Sequence, residues 1–101
     1  MKLIEIIIPD TQLHYVNRIL REVDVGGMSY HRIEGRSKAN ATEFIPKYKI
    51  EVVVRDDQVE ELISKIVDRV GGDINTGGKI FVVDVTTAVD LSTKKRGEAA
   101  I

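Results

Sequence analysis

The residues of this chain best suited to ligand chemistry are two glycines and a lysine, Gly77-Gly78-Lys79, which follow Thr76 and precede a β-prone run beginning at Ile80. Glycines allow a tight turn that points backbone N–H groups at an anion, and the lysine adds a positive charge. The segment 72–79 is therefore predicted to be a phosphate-binding loop. It differs from the nucleotide-hydrolysing P-loop, because a second glycine precedes the lysine, Ile80 follows it, and a predicted strand replaces the helix. A plain flexible connection is the alternative interpretation.

Catalytic and metal-binding patterns are absent from the sequence. His14 and His31 have no second histidine or cysteine at ligand spacing, so surface histidines are expected. Asp56-Asp57 is placed to begin a helix and not to act as a catalytic pair. The chain has no cysteine, which excludes disulfides and thiolate chemistry. We therefore predict that the protein is not an enzyme and has no metal site; a small isomerase or weak ATPase is the least supported alternative.

Composition predicts one domain spanning residues 1–101, with 43% hydrophobic residues, 31% charged residues and a net charge of −1. This balance gives no general attraction to nucleic acid, and three tyrosines, two phenylalanines and no tryptophan provide no base-stacking surface. No apolar stretch approaches the roughly 20 residues of a membrane span. The chain start lacks a signal-peptide pattern, so a cytoplasmic location without membrane insertion is expected.

The N-terminal third has the pattern of a strand, a helix and a second strand. Residues 2–8 are mostly apolar and β-branched, and Asp10 or Thr11 can cap the helix that follows. Gly26-Gly27 is predicted to stop that helix before a strand at 28–34. Helical spacing places its apolar residues on one face: Leu13, Val16, Leu20 and Val23.

The rest of the chain repeats this pattern after a long loop. Residues 35–46 have neither a helical nor a strand period, and their length suggests a functional loop because most connections have about 4–6 residues. A strand at 47–55 leads into a helix with an Asp57–Glu60 capping box and a stop at Gly71-Gly72. A fourth strand is predicted at 79–85.

This order predicts an α+β, ferredoxin-like (βαββαβ) fold, in which an antiparallel sheet carries both helices on one face. The tail 86–101 forms a C-terminal extension with a short strand at 89–91. The apolar runs 6–8 and 52–54 place side chains on both faces of the sheet, because neighbouring residues alternate. We therefore expect other subunits to cover the helix-free face.

Several segments resemble, in order and over nearly the whole chain, the PII signal-transduction proteins of nitrogen regulation. The chain is identified as a divergent PII-like member with a short T-loop. The segments that carry the resemblance are Met1–Pro9, Gly27–Ser29, Pro46–Val54, Gly78–Val82 and Arg96–Ile101.

The resemblance implies a homotrimer that binds adenine nucleotides, often with 2-oxoglutarate, in the clefts between subunits. A T-loop, here about 35–46, engages a target such as a membrane transporter or metabolic enzyme. Lys47 matches a lysine that contacts the effector. The positions matched to nucleotide binding are Ile7, Gly27, Met28, Ser29, Gly35, Arg36, Glu51, Val53, Thr76, Gly77, Gly78 and Lys79. The loop residues expected to bind the partner are Arg36, Ser37, Lys38, Asn40 and Thr42.

The chain also departs from the family pattern. Its T-loop is shorter than usual and has no tyrosine, so uridylylation at the usual residue type is not expected. The glutamine that helps to hold Mg²⁺ and 2-oxoglutarate has no clear counterpart. Gly77 replaces an acidic residue, and Asp90 and Ser92 align with two arginines that grip phosphate from the neighbouring subunit.

The missing arginines affect the γ-phosphate most, because charge-assisted phosphate contacts are the strong ones. We therefore predict a preference for ADP, AMP or cyclic AMP over Mg-ATP. Lys94, Lys95 or Arg96 could compensate, with a solvated basic tail as the equal alternative. The competing function is a trimeric interaction scaffold that has lost nucleotide sensing. The sequence does not choose among partners.

Overall fold

An antiparallel sheet with strand order β2-β3-β1-β4 organises the computed structural model, which describes residues 1–72 and 77–101. The strands are β1 Lys2–Pro9, β2 Ser29–Gly35, β3 Ile45–Val54 and β4 Lys79–Asp84. The α-helices are α1 Leu13–Glu22 and α2 Val59–Val70. Short 3-10 turns lie at Asp10–Gln12, Asp56–Gln58 and Gly97–Ala100.

Alternation along the central strands separates the two faces of the sheet. The even-numbered isoleucines and valines of β1 and β3 are buried against the helices, as Ile6 and Ile50 illustrate. Leu62 and Ile66 of α2 and Leu20 of α1 complete this core. Both helices therefore cover the same face, and the predicted ferredoxin-like α+β fold is confirmed.

The helix-free face carries the odd-numbered strand residues. At its centre, Lys49 Nζ lies 3.7 Å from Glu5 Oε1 and 3.8 Å from Glu51 Oε1. Phe81 and Val83 of β4 are 45% and 47% exposed on this face. On this face, the apolar side chains of β4 thus lie beside a group of charged residues on β1 and β3.

The end of α1 differs from the prediction. Asp24 takes a left-handed conformation with φ 61°, and its N–H donates to the Arg21 carbonyl at 3.2 Å. The Val25 N–H donates to the Leu20 carbonyl at 2.9 Å, which completes a Schellman-type end. The helix therefore ends before Gly26-Gly27, and the predicted glycine stop is wrong, because an aspartate supplies the left-handed residue earlier.

Both predicted N-terminal caps are also wrong. Asp10 and Thr11 lie in a 3-10 turn without a side-chain cap ahead of α1. At α2, Gln58 replaces the expected Asp57–Glu60 box: its Oε1 accepts the Arg55 N–H at 2.9 Å. Its Nε2 donates to the Val23 carbonyl at 3.1 Å, so this buried amide also joins the start of α2 to the end of α1.

The connections shift the remaining strand bounds. β2 begins and ends one residue later than predicted and β4 ends one residue earlier, at Asp84. β3 begins at Ile45, so the loop between β2 and β3 is 36–44. None of the described helices is long and apolar enough to cross a membrane.

The predicted strand at 89–91 is an isolated bridge between Val89 and Arg96. The Asp90 N–H donates to the Lys95 carbonyl at 2.9 Å, and the Lys94 N–H donates to the Asp90 carbonyl at 2.8 Å. A tight turn therefore takes the place of a strand.

The core predicts unequal effects of two alanine substitutions in α2. Leu62 is fully buried, and Leu62→Ala should lower the free energy of unfolding by about 2–5 kcal/mol through lost burial and a cavity. Val67 is 53% exposed, and Val67→Ala should stay within about 0.5 kcal/mol of wild type. Urea unfolding at one protein concentration measures both, and equal losses would contradict the described packing of α2.

Candidate functional site

The glycine loop meets the end of β1 at a distance that only glycines allow. Gly77 and Gly78 have φ values of 66° and 153°. A Cβ on Gly78 would lie 2.9 Å from the Ile7 carbonyl oxygen, closer than Cβ atoms approach other atoms. A Cβ on Gly77 would lie 3.0 Å from Ser37 Cβ, so the glycine loop also packs against the loop 36–44. The two glycines therefore allow the backbone of this loop to lie close to β1 and to the loop 36–44.

Lys47 lies beneath this contact. It is only 4% exposed, and its Nζ is 3.5 Å from the position that a Gly77 Cβ would take. A Cβ on Gly35 would lie 3.3 Å from Lys47 Cδ, so the lysine stem runs under the end of β2. In the described parts of the chain, Lys47 takes part in none of the ion pairs.

We call these residues the glycine-loop cluster. Its members contribute backbone amides, a hydroxyl and two ammonium groups, and they contribute no carboxylate. They are Ile7, Gly35, Ser37, Lys47, Gly77, Gly78 and Lys79. Chemically, this is a set of hydrogen-bond donors and positive charges suited to an anion.

A second group of predicted residues surrounds a cavity of about 510 Å³ beside the C-terminal tail. We call it the tail-side cavity. Its described lining contains apolar and small side chains and two carboxylates, Glu51 and Asp90, without a cationic side chain. The lining residues are Leu3, Gly26, Gly27, Met28, Ser29, Glu51, Val52, Val53, Asp90, Ala99, Ala100 and Ile101.

The Asp90 carboxylate has a structural partner. Its Oδ1 accepts the Ser92 N–H at 2.8 Å and the Thr93 N–H at 3.3 Å, which holds the turn between Val89 and Arg96. Asp90 and Ser92 thus lie on one side of this turn. Asp90 adds negative charge to the tail-side cavity while it stabilises the tail.

The two groups do not meet within one chain. Ile7 lies opposite Lys79, whereas Leu3 lies opposite Val53, nearer the other end of the same strands. Four residues of β-strand separate Ile7 from Leu3, a distance of about 13 Å. The structure therefore places most of the predicted nucleotide-binding residues that it describes in two separate groups, one at the glycine-loop cluster and one at the tail-side cavity.

The loop 36–44 is held by its own contacts. Arg36 Nη1 donates to the Ala41 carbonyl at 2.9 Å, and the Asn40 N–H donates to Ser37 Oγ at 3.0 Å. Lys38 and Thr42 are exposed on this loop, as expected for partner-binding residues. Thr76 lies outside the described residues.

Sequence reasoning missed Phe44, which is 66% exposed at the end of this loop. Its signal was a single aromatic residue in an otherwise polar segment. A cavity of about 460 Å³ between β1, α2 and the glycine loop shares Ile7, Gly77, Gly78 and Lys79 with the glycine-loop cluster, and the rest of its described lining is aliphatic side chains and glycines. His14 and His31 are both exposed, and no metal-binding group of side chains occurs among the described residues.

The fold and the site place the chain among ferredoxin-like α+β domains that carry a glycine-loop cluster at one end of the sheet. Residues 1–95 match the family model described as nitrogen regulatory protein P-II. Nitrogen regulatory protein P-II from Cereibacter sphaeroides is 36% identical, and its counterpart from Pasteurella multocida is 34% identical. Nitrogen regulatory protein P-II 1 from Escherichia coli strain K12 is also 34% identical, and all three alignments cover 100% of both chains. The chain therefore belongs to the nitrogen regulatory protein P-II family.

Because Gly77 lies so close to Ser37 and Lys47, we expect a substitution at Gly77 to affect ligand binding more than stability. Gly77→Ala should cost about 1–2 kcal/mol of stability, because alanine is strained at positive φ. Its Cβ would also press on Ser37 and stand 3.5 Å from Lys47 Nζ, so the affinity for an adenine nucleotide should fall by about tenfold or more.

Gly97 is the matched control. It has φ 68°, nearly the same as the 66° of Gly77, but its Cβ would have no atom within 4 Å. Gly97→Ala should therefore cost similar stability and leave the affinity for an adenine nucleotide within about twofold. Thermal unfolding and calorimetry compare the two, and equal losses of affinity would contradict the proposed position of the anion.

Proposed function

We propose that this chain is a PII-like regulator that binds an adenine nucleotide, ADP or AMP in preference to Mg-ATP, between the protomers of a homotrimer. Binding would control a target protein, such as a membrane transporter or metabolic enzyme, through the loop 36–44. The Lys47 side chain carries the proposal, because it is only 4% exposed and belongs to none of the ion pairs among the described residues.

The environment of Lys47 favours an anion. Burying a charge is costly unless it is paired, and lysine is rarely this buried without a partner. The ion pairs of the described residues do not include Lys47, and no buried side-chain nitrogen or oxygen among them lacks a hydrogen-bond partner. Its ammonium group therefore keeps access to solvent at its tip. A phosphate at the glycine-loop cluster would provide the missing negative charge.

The separation of the half-sites supports a site shared between protomers. The tail-side cavity offers apolar surface and carboxylates, which suit an adenine ring and its amino group. The glycine-loop cluster offers the positive charge. A second copy that brings its tail-side cavity to the cluster would complete the site, and the exposed Phe81 and Val83 provide apolar surface for that contact.

The small number of cations near the two groups of residues supports a preference for nucleotides with one or two phosphates over Mg-ATP. Lys47 and Lys79 are the cations of the cluster, and the described lining of the tail-side cavity adds none. Glu51 and Asp90 would repel a phosphate that extended toward them. A γ-phosphate would therefore gain little from the partner protomer. The same acidic lining favours the alternative function, a trimeric scaffold that does not sense nucleotides.

The length of the chain supports a short partner-binding loop. Alignments with the relatives run over 112 positions and contain all 101 residues, so at least eleven positions are occupied only in the relatives. The described helices and strands of the fold are complete. We assign the missing positions to the loop 36–44, which would reach a smaller surface of the target.

Replacing the buried ammonium should separate binding from stability. Lys47→Met keeps an apolar stem of similar volume and removes an unpaired charge, so stability should be unchanged or higher while ADP affinity falls by more than about tenfold. Lys65→Met makes the same change on the outer face of α2, where the side chain is 40% exposed, and should leave affinity unchanged. Calorimetry and urea unfolding test both. Full ADP affinity in Lys47→Met would refute the assigned site.

The acidic tail-side cavity predicts a ranking of nucleotides. ADP and AMP should bind more tightly than Mg-ATP in calorimetry, with cyclic AMP as a fourth ligand, while light scattering reports a mass of three protomers. Tightest binding of Mg-ATP would overturn the charge argument. No heat and no rise in melting temperature with any nucleotide would favour the scaffold.

A further inference from the structure

We propose that a further cavity, on the helix side of the sheet beside β2, binds a small organic cation with an apolar body. The cavity has a volume of about 450 Å³, which suits a small molecule. We call it the tyrosine pocket. It lies outside the glycine-loop cluster and shares only Met28 with the described lining of the tail-side cavity. The proposal does not depend on nucleotide binding.

The tyrosine pocket is built by β2, β3 and the start of α1. Tyr30 pairs with the buried Ile50, and Tyr48 lies two residues before Ile50, so both tyrosine side chains are on the helix side. Their ring centroids are 5.3 Å apart and their planes meet at 90°. Leu13 and Asn17, one turn apart on α1, complete the wall. Two rings and an aliphatic side chain thus offer contact to the apolar body of a ligand.

The charge of the lining selects a cation. Asp10 provides a carboxylate, and the described lining contains no lysine or arginine. The turn that holds Asp10 does not use its side chain as a helix cap. In the part of the chain that the structure describes, Asp10 pairs with Arg32, whose Nη2 lies 3.6 Å from Asp10 Oδ2. This distance is longer than a hydrogen bond, so the carboxylate is open to a stronger donor inside the pocket.

Arg32 shows that this position accepts positive charge. Its guanidinium lies 6.0 Å from the centroid of the Tyr48 ring while it faces Asp10. Aromatic faces attract cations within about 6 Å, and a ligand cation at this place would meet the same ring and the same carboxylate. The Arg32 side chain is exposed, and exposed ion pairs contribute little stability. A ligand can therefore replace it at Asp10, and Arg32 acts as an internal competitor.

The remaining polar groups of the lining are suited to an ammonium or guanidinium group. The Asn17 amide and the Tyr48 hydroxyl make no hydrogen bond within the described ranges 1–72 and 77–101. An ammonium group has three N–H donors, so the amide and hydroxyl oxygens can accept those that Asp10 leaves. His14 adds an exposed imidazole whose ring lies against Tyr15, with 3.9 Å between the centroids.

The test uses methionine methyl groups as NMR probes. The chain has two methionines: Met28 lines the tyrosine pocket, and Met1 precedes the opposite end of β1. Benzylammonium is the test ligand, because its aromatic ring shifts the signal of a nearby methyl group. We expect the Met28 signal to shift saturably, with a dissociation constant in roughly the millimolar range, and the Met1 signal to stay unchanged. Benzyl alcohol has the same shape without the charge and should bind about tenfold more weakly.

Three variants test the role of charge, and thermal unfolding checks that each one folds. Asp10→Asn removes the carboxylate and should weaken benzylammonium binding by about tenfold while benzyl alcohol binding is unchanged. Arg32→Gln removes the internal competitor and should strengthen benzylammonium binding by about two- to fivefold. Glu34→Gln is the control: it removes one carboxylate from an exposed position on β2 outside the lining and should leave affinity within about twofold of wild type.

The outcomes decide between a cation site and an unspecific apolar cavity. Loss of binding in Asp10→Asn together with a gain in Arg32→Gln would establish the site, because general damage to the fold does not strengthen binding. Equal affinities for benzylammonium and benzyl alcohol, or full affinity in Asp10→Asn, would overturn the assigned cation. No gain in Arg32→Gln would overturn the competition by Arg32. A Met28 signal that does not shift, or that shifts no more than the Met1 signal, would overturn the pocket itself.

Discussion

The pairing of β1 with β3 is the constraint on which the rest of the structure depends. Its register places Ile4, Ile6 and Ile8 against the helices, and the same alternation turns their neighbours to the other face. A shift by one residue would exchange the two faces, so the core and the site are fixed together. The hydrophobic energy of the core thus holds Ile7 against the glycine loop, although Ile7 itself adds little to that core.

Lys47 opposes folding electrostatically, because the fold removes most of its side chain from water without pairing its charge. It lies near the start of β3 on the helix-free face, beside the glycine loop, where an aliphatic residue would satisfy packing. Folding alone gives no reason for a lysine with so little exposure and no carboxylate partner, because partial desolvation of a charge opposes folding. The glycines on both sides of it have a matching explanation, since they bring backbone N–H groups close without filling the space. An anion accounts for both features with one interaction.

The fold could be predicted from the sequence because its signals are periodic. The apolar alternation of β1 and the stripe of α2 identify strand and helix without tertiary information. The element ends were less predictable because they depend on local competition: Asp24 took the left-handed position before the glycines did, and Gln58 formed a cap that also reaches Val23. Pairing of Ile45 with Gly35 shortened the loop at its base, which no local pattern in the loop could reveal.

The site was predictable to the extent that it is local. The glycine–lysine segment and the loop 36–44 stand out from composition, but their contact through Ser37 and Gly77 joins parts of the chain that only the sheet brings together. The burial of Lys47 could not be read from its type, because lysine is normally exposed. The resemblance to a family marked the position without explaining it. Phe44 escaped notice because neither period nor resemblance singled it out.

The proposed division into two half-sites would allow a short loop without loss of the ligand. The loop residues placed at the glycine-loop cluster are at its base, where Gly35 and Ser37 are held by Lys47 and Gly77. Residues beyond Ala41 have no described contact with the cluster, so their number affects what a partner meets more than what the cleft binds. Under the proposed function, a nucleotide in the cleft and a partner at the loop would each change the affinity of the other by the same factor.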